Sequence, residues 1–514
     1  MNKNKYIAMA ALATMALPLY AQETYENARL ATEDLNGTAR YVGMGGAMEA
    51  LGADISTIGT NPAGIGLFKH SSINTTFGLT SQINGHDFAG GNKTNASFDQ
   101  IGGVYTMRTG RDSWMNFAFS YHKSRNFDQL FEVAGKLDGK SSQNKLTYDK
   151  WGTGVISGTD DVTYSQVDAL YTNHLLAKTD ANGNSTLYYY PANSYTLNRY
   201  NKGYIGNYDF NLSGNIHNRI FLGLTVGIKD VHYNGYTEYS ESFVQNLENI
   251  SGLTLADQRK ITGTGFYLSG GAIFRPFADS PFRFGVYVIT PTWYDLTTRN
   301  YTTLSDGTQS FPSGESYDFK LYTPWKFGFS LGHTIAKMVA LGATYEYADY
   351  GSMDSRIKTG SYYDDWGYSY DETESDDVMN HDMDQKLKGV STVKLGVEVK
   401  PIPCMAIRAG YNYVSPMYSG SAYKNGTLKS PGSYYASQTD YTNWKATNRL
   451  TLGLGYTAGN VSVDLAYQYN QTNGNFYPFM NYTDYSNANN SNYADAVKVK
   501  DKHQQVMLTV GYRF

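Results

Sequence analysis

Apolar residues recur at every second position through stretch after stretch of this chain, and that period fixes what it can fold into. The last ten residues, QVMLTVGYRF, put Val506, Leu508, Val510, Tyr512 and Phe514 on one face of an extended strand. Gln505, Met507, Thr509, Gly511 and Arg513 take the other, because successive strand side chains point to opposite sides. VSVDLAYQYN has the apolar face Val461, Val463, Leu465, Tyr467 and Tyr469, and RLTLGLGYT has Leu450, Leu452, Leu454 and Tyr456. The same period runs through 220–228, 325–331, 339–347 and 393–399. Such lengths match the roughly 9 to 11 residues that a tilted strand needs to cross a bilayer.

The connections alternate in length. Short ones fall at 109–113, 217–219, 278–281, 333–337, 401–404 and 458–460, and long polar ones at 83–97, 125–202, 234–262, 297–315, 351–386, 418–442 and 471–500. Together they join about fourteen strands with both chain ends on the short-turn side, as in bacterial outer-membrane barrels. A soluble β-sandwich also alternates, but it has no reason to gather every short turn at one end, and its strands average about 5 to 6 residues. Tyr411, Tyr413, Trp293, Trp325 and Trp444 stand where strands meet loops, which suits interfacial girdles. The fold class expected is all-β, a transmembrane antiparallel β-barrel over residues 69–514 in a bacterial outer membrane.

The start of the chain agrees with export. MNKNKYIAMAALATMALPLYAQ carries Lys3 and Lys5, an apolar run from Ile7 to Leu19, and Ala21, the layout of a signal peptide over 1–21. Cys404 is the single cysteine, so no intramolecular disulfide forms. No window approaches 18 consecutive apolar residues, which excludes a helical membrane protein. A net charge of −4 offers nothing to nucleic acid.

Residues 22–68 break the alternation. LNGTARYVGMGGAMEALGADISTIGTNPAGIGLF is rich in small residues with short helical patches, so it folds compactly without a large core of its own. A barrel of about fourteen strands encloses a bore too wide for its side chains to fill, and this segment is expected to plug it. Asn61 is placed to cap a turn, Pro62 to take its first position, and Gly64 to approach the wall closely. A periplasmic tail ending in a loop is the other reading.

Asn61, Pro62, Ala63 and Gly64 shortly before the first strand, TPTWYDL at 290–296, TPWKFGFSLGH at 323–333 and the terminal GYRF together resemble the FadL-type outer-membrane transporters of long-chain fatty acids and aromatic hydrocarbons. The resemblance implies a fourteen-strand barrel closed by an N-terminal hatch that holds Asn61, Pro62 and Ala63. It implies a hydrophobic small-molecule ligand that enters from an outer groove and leaves sideways into outer-membrane lipid, beside a kinked third strand. That strand is WMNFAFSYHKSRNF, beginning at Trp114, which contains neither Gly nor Pro. Phe514, with Tyr512 at the alternate position, resembles the signal read by the barrel-assembly machinery.

Passage of an apolar solute needs apolar contacts outside, a pocket within and an exit that avoids water. Phe243, Leu247 and Ile250 fall at helical spacing and are candidates for an outer groove or for a lid on the rim. Phe127 and Phe131 are candidates for the opposite wall. Pro291 and Pro324 sit inside expected strands, where a missing N–H bends the ladder. GMGGAM lacks the surroundings of a dinucleotide site. His86-Asp87 and His381-Asp382 are the pairs to inspect for an enzyme, but adjacent strand residues point apart. The acidic stretch 364–384 does not match an EF-hand. No cofactor or metal is implied. The expected function is a passive, gated, non-enzymatic channel for hydrophobic molecules such as long-chain fatty acids; a surface adhesin or scaffold barrel is the alternative.

Overall fold

The computed structural model describes residues 23–156, 164–179, 185–247, 250–430, 434–435, 437–487 and 491–514; the expected signal peptide lies outside them. Fourteen antiparallel strands form a closed barrel. In chain order they are β1 (Ser72–Gln82), β2 (Thr94–Gly110), β3 (Ser113–Asn126, resuming at Gln129–Lys136), β4 (Ala192–Ile216), β5 (Ile220–Leu247) and β6 (Ile250–Phe274). There follow β7 (Arg283–Ile289 and Trp293–Ser305), β8 (Lys326–Ile335 preceded by Ser310–Tyr322), β9 (Val339–Asp349), β10 (Gly389–Ile402) and β11 (Met405–Val414). β12 (Tyr441–Ala458), β13 (Val461–Tyr477) and β14 (Val497–Arg513) complete the wall. Closure joins β1 to β14 in an unbroken register from Ser72↔Arg513 to Gln82↔His503.

The two-residue period sorts the side chains as the sequence requires. Leu222 and Leu224 on β5, Leu450, Leu452 and Leu454 on β12, and Val506, Leu508 and Val510 on β14 are exposed on the outer face. Their alternates Thr225, Thr451 and Thr509 are buried inside. An apolar band this continuous on the outside of a closed sheet is solvated by lipid. Trp293 and Trp325 stand exposed at its edge. Trp444 does not join them; it is half-buried and packs edge-on to Phe131, with ring centroids 6.2 Å apart. A register shift between Trp444 and Thr447 turns it inward.

Most of two stretches expected as loops, 234–262 and 297–315, is strand instead: 234–247, 250–262, 297–305 and 310–315. β5 runs 28 residues, about 90 Å at 3.3 Å per residue, far beyond the ~30 Å hydrocarbon core. The alternation simply changes character there: Tyr233, Tyr239, Leu253 and Leu255 are buried inside, while Asp230, His232 and Glu238 take the outer positions. For the same reason Phe243, Leu247 and Ile250 lie on no helix. Four is an even spacing, so Phe243 and Leu247 satisfy a strand as well as a helix, and Ile250 pairs with Leu247 across the hairpin.

Pro291 and Pro324 stand at matching interruptions of adjacent strands. β7 breaks between Ile289 and Trp293, and β8 between Tyr322 and Lys326. The Thr323 hydroxyl accepts from Thr292 N at 2.8 Å there, filling a ladder position that proline cannot.

Residues 23–68 lie inside the barrel as α1 (Thr24–Ala31), α2 (Ala39–Gly43) and two 3-10 turns, Ile55–Gly59 and Pro62–Leu67. The wall holds their carbonyls: Thr451 Oγ1 donates to Gly43 O at 3.2 Å, Thr225 Oγ1 to Ile58 O at 3.0 Å, and Asn116 Nδ2 to Ile65 O at 2.7 Å. The long-loop end carries three more helices, α3 (Gln143–Gly152), α4 (Gln166–Tyr171) and α5 (Asp377–Lys386).

Candidate functional site

The inner segment is fastened chiefly by charge. Its carboxylates meet wall or loop cations: Glu33 bridges Lys229 and Lys326, both at 2.5 Å, Asp34 meets Arg125 at 2.8 Å, and Glu49 meets Lys394 at 2.7 Å. Glu26 pairs with Arg259 and Glu23 with Lys424. In reverse sense, Arg40 meets the wall carboxylate Glu398 at 3.2 Å. Buried charges persist only when paired in this way.

Asn61, Pro62, Ala63 and Gly64 are all buried. Asn61 caps the last 3-10 turn, its Oδ1 accepting from Ala63 N at 3.2 Å, and Pro62 takes the first helical position. The wall makes room with glycine: a Cβ on Gly271 of β6 would stand 2.1 Å from Asn61 Oδ1.

A cavity of about 370 Å³ lies between α1, the stretch from Thr32 to Asn36 and the wall. Tyr25, Phe127, Phe131, Tyr418 and Trp444 line it alongside Arg125 and Arg449. Asp34 stands between the two arginines, 2.8 Å from Arg125 and 3.7 Å from Arg449. Arg449 also donates to Asn412 Oδ1 at 2.9 Å. The Nε of each arginine is buried with no hydrogen-bond partner among the described residues. Two guanidiniums sharing one carboxylate, with the Arg125 side chain 26% exposed, beside aromatic rings, suit a molecule with an anionic head and an apolar body.

The other candidate residues fall elsewhere. Phe243 is buried against Tyr190, ring centroids 4.9 Å apart, in a cluster with Tyr171 and Leu253, and Ile250 packs on that cluster half-buried. It is therefore covered by the loop bearing α3 and α4. Leu247 lies in β5. Tyr512 and Phe514 stack with centroids 6.2 Å apart on the outer face at the short-turn end. His86 and Asp87 diverge: His86 approaches Glu132 at 3.8 Å, and Asp87 accepts from Lys93 N. His381 meets Gln385, and Asp382 meets Lys386. Among the described residues no group of three or more His, Cys, Asp or Glu side chains gathers to hold a metal.

Beside the cavity the wall parts. The β2–β3 ladder runs from Gly110↔Ser113 up to Gln100↔His122 and stops. β3 then follows β4 alone, with a register shift between Lys123 and Arg125 and a break at Phe127 and Asp128. The third strand is thus interrupted without Gly or Pro: Asp34 Oδ2 accepts from Asn126 N at 2.9 Å, and Asn126 Oδ1 accepts from Asp128 N at 3.0 Å. These side-chain bonds replace ladder bonds.

A closed barrel with a lipid-facing outside and its own N-terminal segment seated in the bore defines a stoppered barrel of the outer-membrane class. Its fold is that of the FadL-type channels. It is similar to the structure of a FadL homologue from Pseudomonas aeruginosa, with a TM-score of 0.52 and 12% identity over 94% of this chain and 100% of that one. It is also similar to the toluene transporter TodX of P. putida, with a TM-score of 0.50 and 13% identity over 94% and 99%. No protein-family model and no curated protein sequence matches the chain.

Proposed function

We propose that this protein is an outer-membrane channel for passive, gated uptake of hydrophobic molecules, and that its ligands are long-chain fatty acids. The observation that carries the choice of ligand is the cavity in which Arg125, its side chain 26% exposed, and Arg449 share the carboxylate of Asp34 beside Phe127, Phe131, Tyr418 and Trp444. A carboxylate head can make a charge-assisted bond to the exposed part of the Arg125 guanidinium, which a neutral hydrocarbon cannot. Residues 22–68 act as the hatch, and the parting between β2 and β3 is the lateral way out, which spares the apolar body a passage through the polar bore. The barrel-assembly machinery reads the Tyr512 and Phe514 edge. Uptake of a labelled long-chain fatty acid into proteoliposomes tests this. Intact protein exceeds empty liposomes, Arg125→Gln/Arg449→Gln falls toward the baseline, and deletion of residues 22–60 abolishes gating. Uptake indistinguishable from empty liposomes removes the transport reading.

One observation favours a second, surface-binding reading. The hairpin of Asp354–Tyr363 and Ser369–Ser375 exposes Tyr363, Trp366 and Tyr368 at its tip, Trp366 at 86%. Deleting the tip separates the two: an adhesin loses cell-surface binding with uptake intact.

A further inference from the structure

On β14 the sequence VKVKDK turns three lysines outward at successive same-face positions. Lys498, Lys500 and Lys502 continue the face that carries Val510, Leu508 and Val506, with Gln504 between. Asp501 belongs to the opposite face, where it meets His503 at 2.7 Å. On the neighbouring β13 the residues opposite the lysines are Asn475, Asn473 and Gln471, all uncharged amides, and on the other side β1 ends at Gln82. Lys498 and Lys500 are exposed, Lys502 is half-buried, and no ion pair engages any of them among the described residues.

The order along this face mirrors the order within a lipid. The last apolar row, Val506 beside Tyr467 of β13, marks the upper edge of the band that touches acyl chains. The row above is Gln504 beside Tyr469. Lys502, Lys500 and Lys498 then rise in steps of about 7 Å along the strand, through the layer where headgroups stand. Acyl chains, sugar and phosphate meet, in turn, an apolar band, aromatic and amide side chains, and ammonium groups that bind phosphate as point charges.

We infer that this stripe is a binding site for a phosphorylated glycolipid of the outer leaflet, its phosphates held by Lys498, Lys500 and Lys502 and its sugar by Gln471, Asn473 and Gln504. The inference rests on the membrane placement given above but not on transport. It fixes the height of the barrel in the leaflet on the side where β14 meets β1, the seam of the cylinder.

The full-length protein in mild detergent is titrated with three probes: a phosphorylated glycolipid, the same glycolipid dephosphorylated, and inorganic phosphate. The wild type is compared with Lys498→Gln/Lys500→Gln/Lys502→Gln and with the three single variants. Affinity for the phosphorylated glycolipid falls about fivefold for each lysine removed, and the other two probes bind weakly to every variant. Equal binding by wild type and the triple variant, or equal binding of the dephosphorylated lipid, overturns the proposal, as does saturation by inorganic phosphate alone. Heat-dependent mobility on gels checks that each variant is a folded barrel, and the single variants keep the test open should the triple one fail. Fatty-acid uptake is measured on the same preparations: its absence removes the transport reading and leaves the glycolipid result standing.

Discussion

Asn36 Nδ2 lies 3.2 Å from Asp99 Oδ1 and 3.0 Å from Lys123 O, so one side chain of the inner segment spans the place where β2 and β3 separate. Asp34 works beside it, donating its N–H to Ser124 O at 2.7 Å. The segment that fills the bore is thus bonded to both strands where they separate, and on the proposed lateral exit this ties release of the segment to opening of the side.

Asn36→Ala therefore loosens the closure. Loss of the two bonds, at about 1 kcal/mol each, gives roughly a thirtyfold rise in the open fraction. Efflux of a small dye from proteoliposomes increases by about that factor while the barrel's unfolding temperature stays put. An unchanged efflux rate rejects the coupling.

Arg125→Gln and Arg449→Gln each weaken binding of a long-chain fatty acid about tenfold or more, as expected for charge-assisted bonds. Binding of a neutral hydrocarbon of the same length does not weaken. Equilibrium titration with both ligands checks the difference, and equal losses reject a headgroup role for the arginines.

Acid loosens the inner segment through Glu33. Burial opposes its ionisation, but Lys229 and Lys326 outweigh that and hold its carboxyl well below the usual carboxylate range. Its folded value lies below its unfolded one, so its contribution is complete above about pH 4.3 and is lost as pH falls through the folded value. Hydrogen-exchange protection of residues 23–68 drops on acidification below that point. In Glu33→Gln, protection is already reduced at pH 7 and changes less with acid. Identical pH profiles for the two proteins reject this assignment.

Gly271→Val forces a side chain onto Asn61. Its Cβ would lie 2.1 Å from Asn61 Oδ1 and 3.0 Å from Pro62 Cδ, an overpacking that costs about 1–3 kcal/mol. Exchange protection falls around residues 61–64, and Asn61→Ala in the same chain restores part of it. A variant with native protection contradicts the close approach.

The barrel was legible because lipid on one side and a polar bore on the other impose the period of two on every crossing, as in 450–456 and 506–514. Composition misled at 234–262, where polar outer residues such as Glu238 suggested a loop although Tyr239, Leu253 and Leu255 kept the strand's inner rhythm. Phe127 and Phe131, expected in the wall of an outer groove, stand instead around the cavity beside α1. Arg125 and Arg449 were missed because they meet only through Asp34, far from both in sequence. A signal was present all the same: Arg449 directly precedes Leu450 and so falls on the inner face of a strand whose outer face is leucine, and a cation turned inward there needs a partner or a guest. The interruption of β3 left no Gly or Pro to read, since it is made by Asp34 and Asn126.

The pairing of β1 with β14 has a consequence for biogenesis. The first and last strands of the cylinder meet, so the circle cannot be completed until the C-terminal strand is present. The carboxylates Glu33, Asp34 and Glu49 precede β1, yet find their cations on β3, β5, β8, β10 and β12. The inner segment therefore cannot be fully fastened until β12, which carries Arg449, is in place, although it precedes the whole wall in the chain.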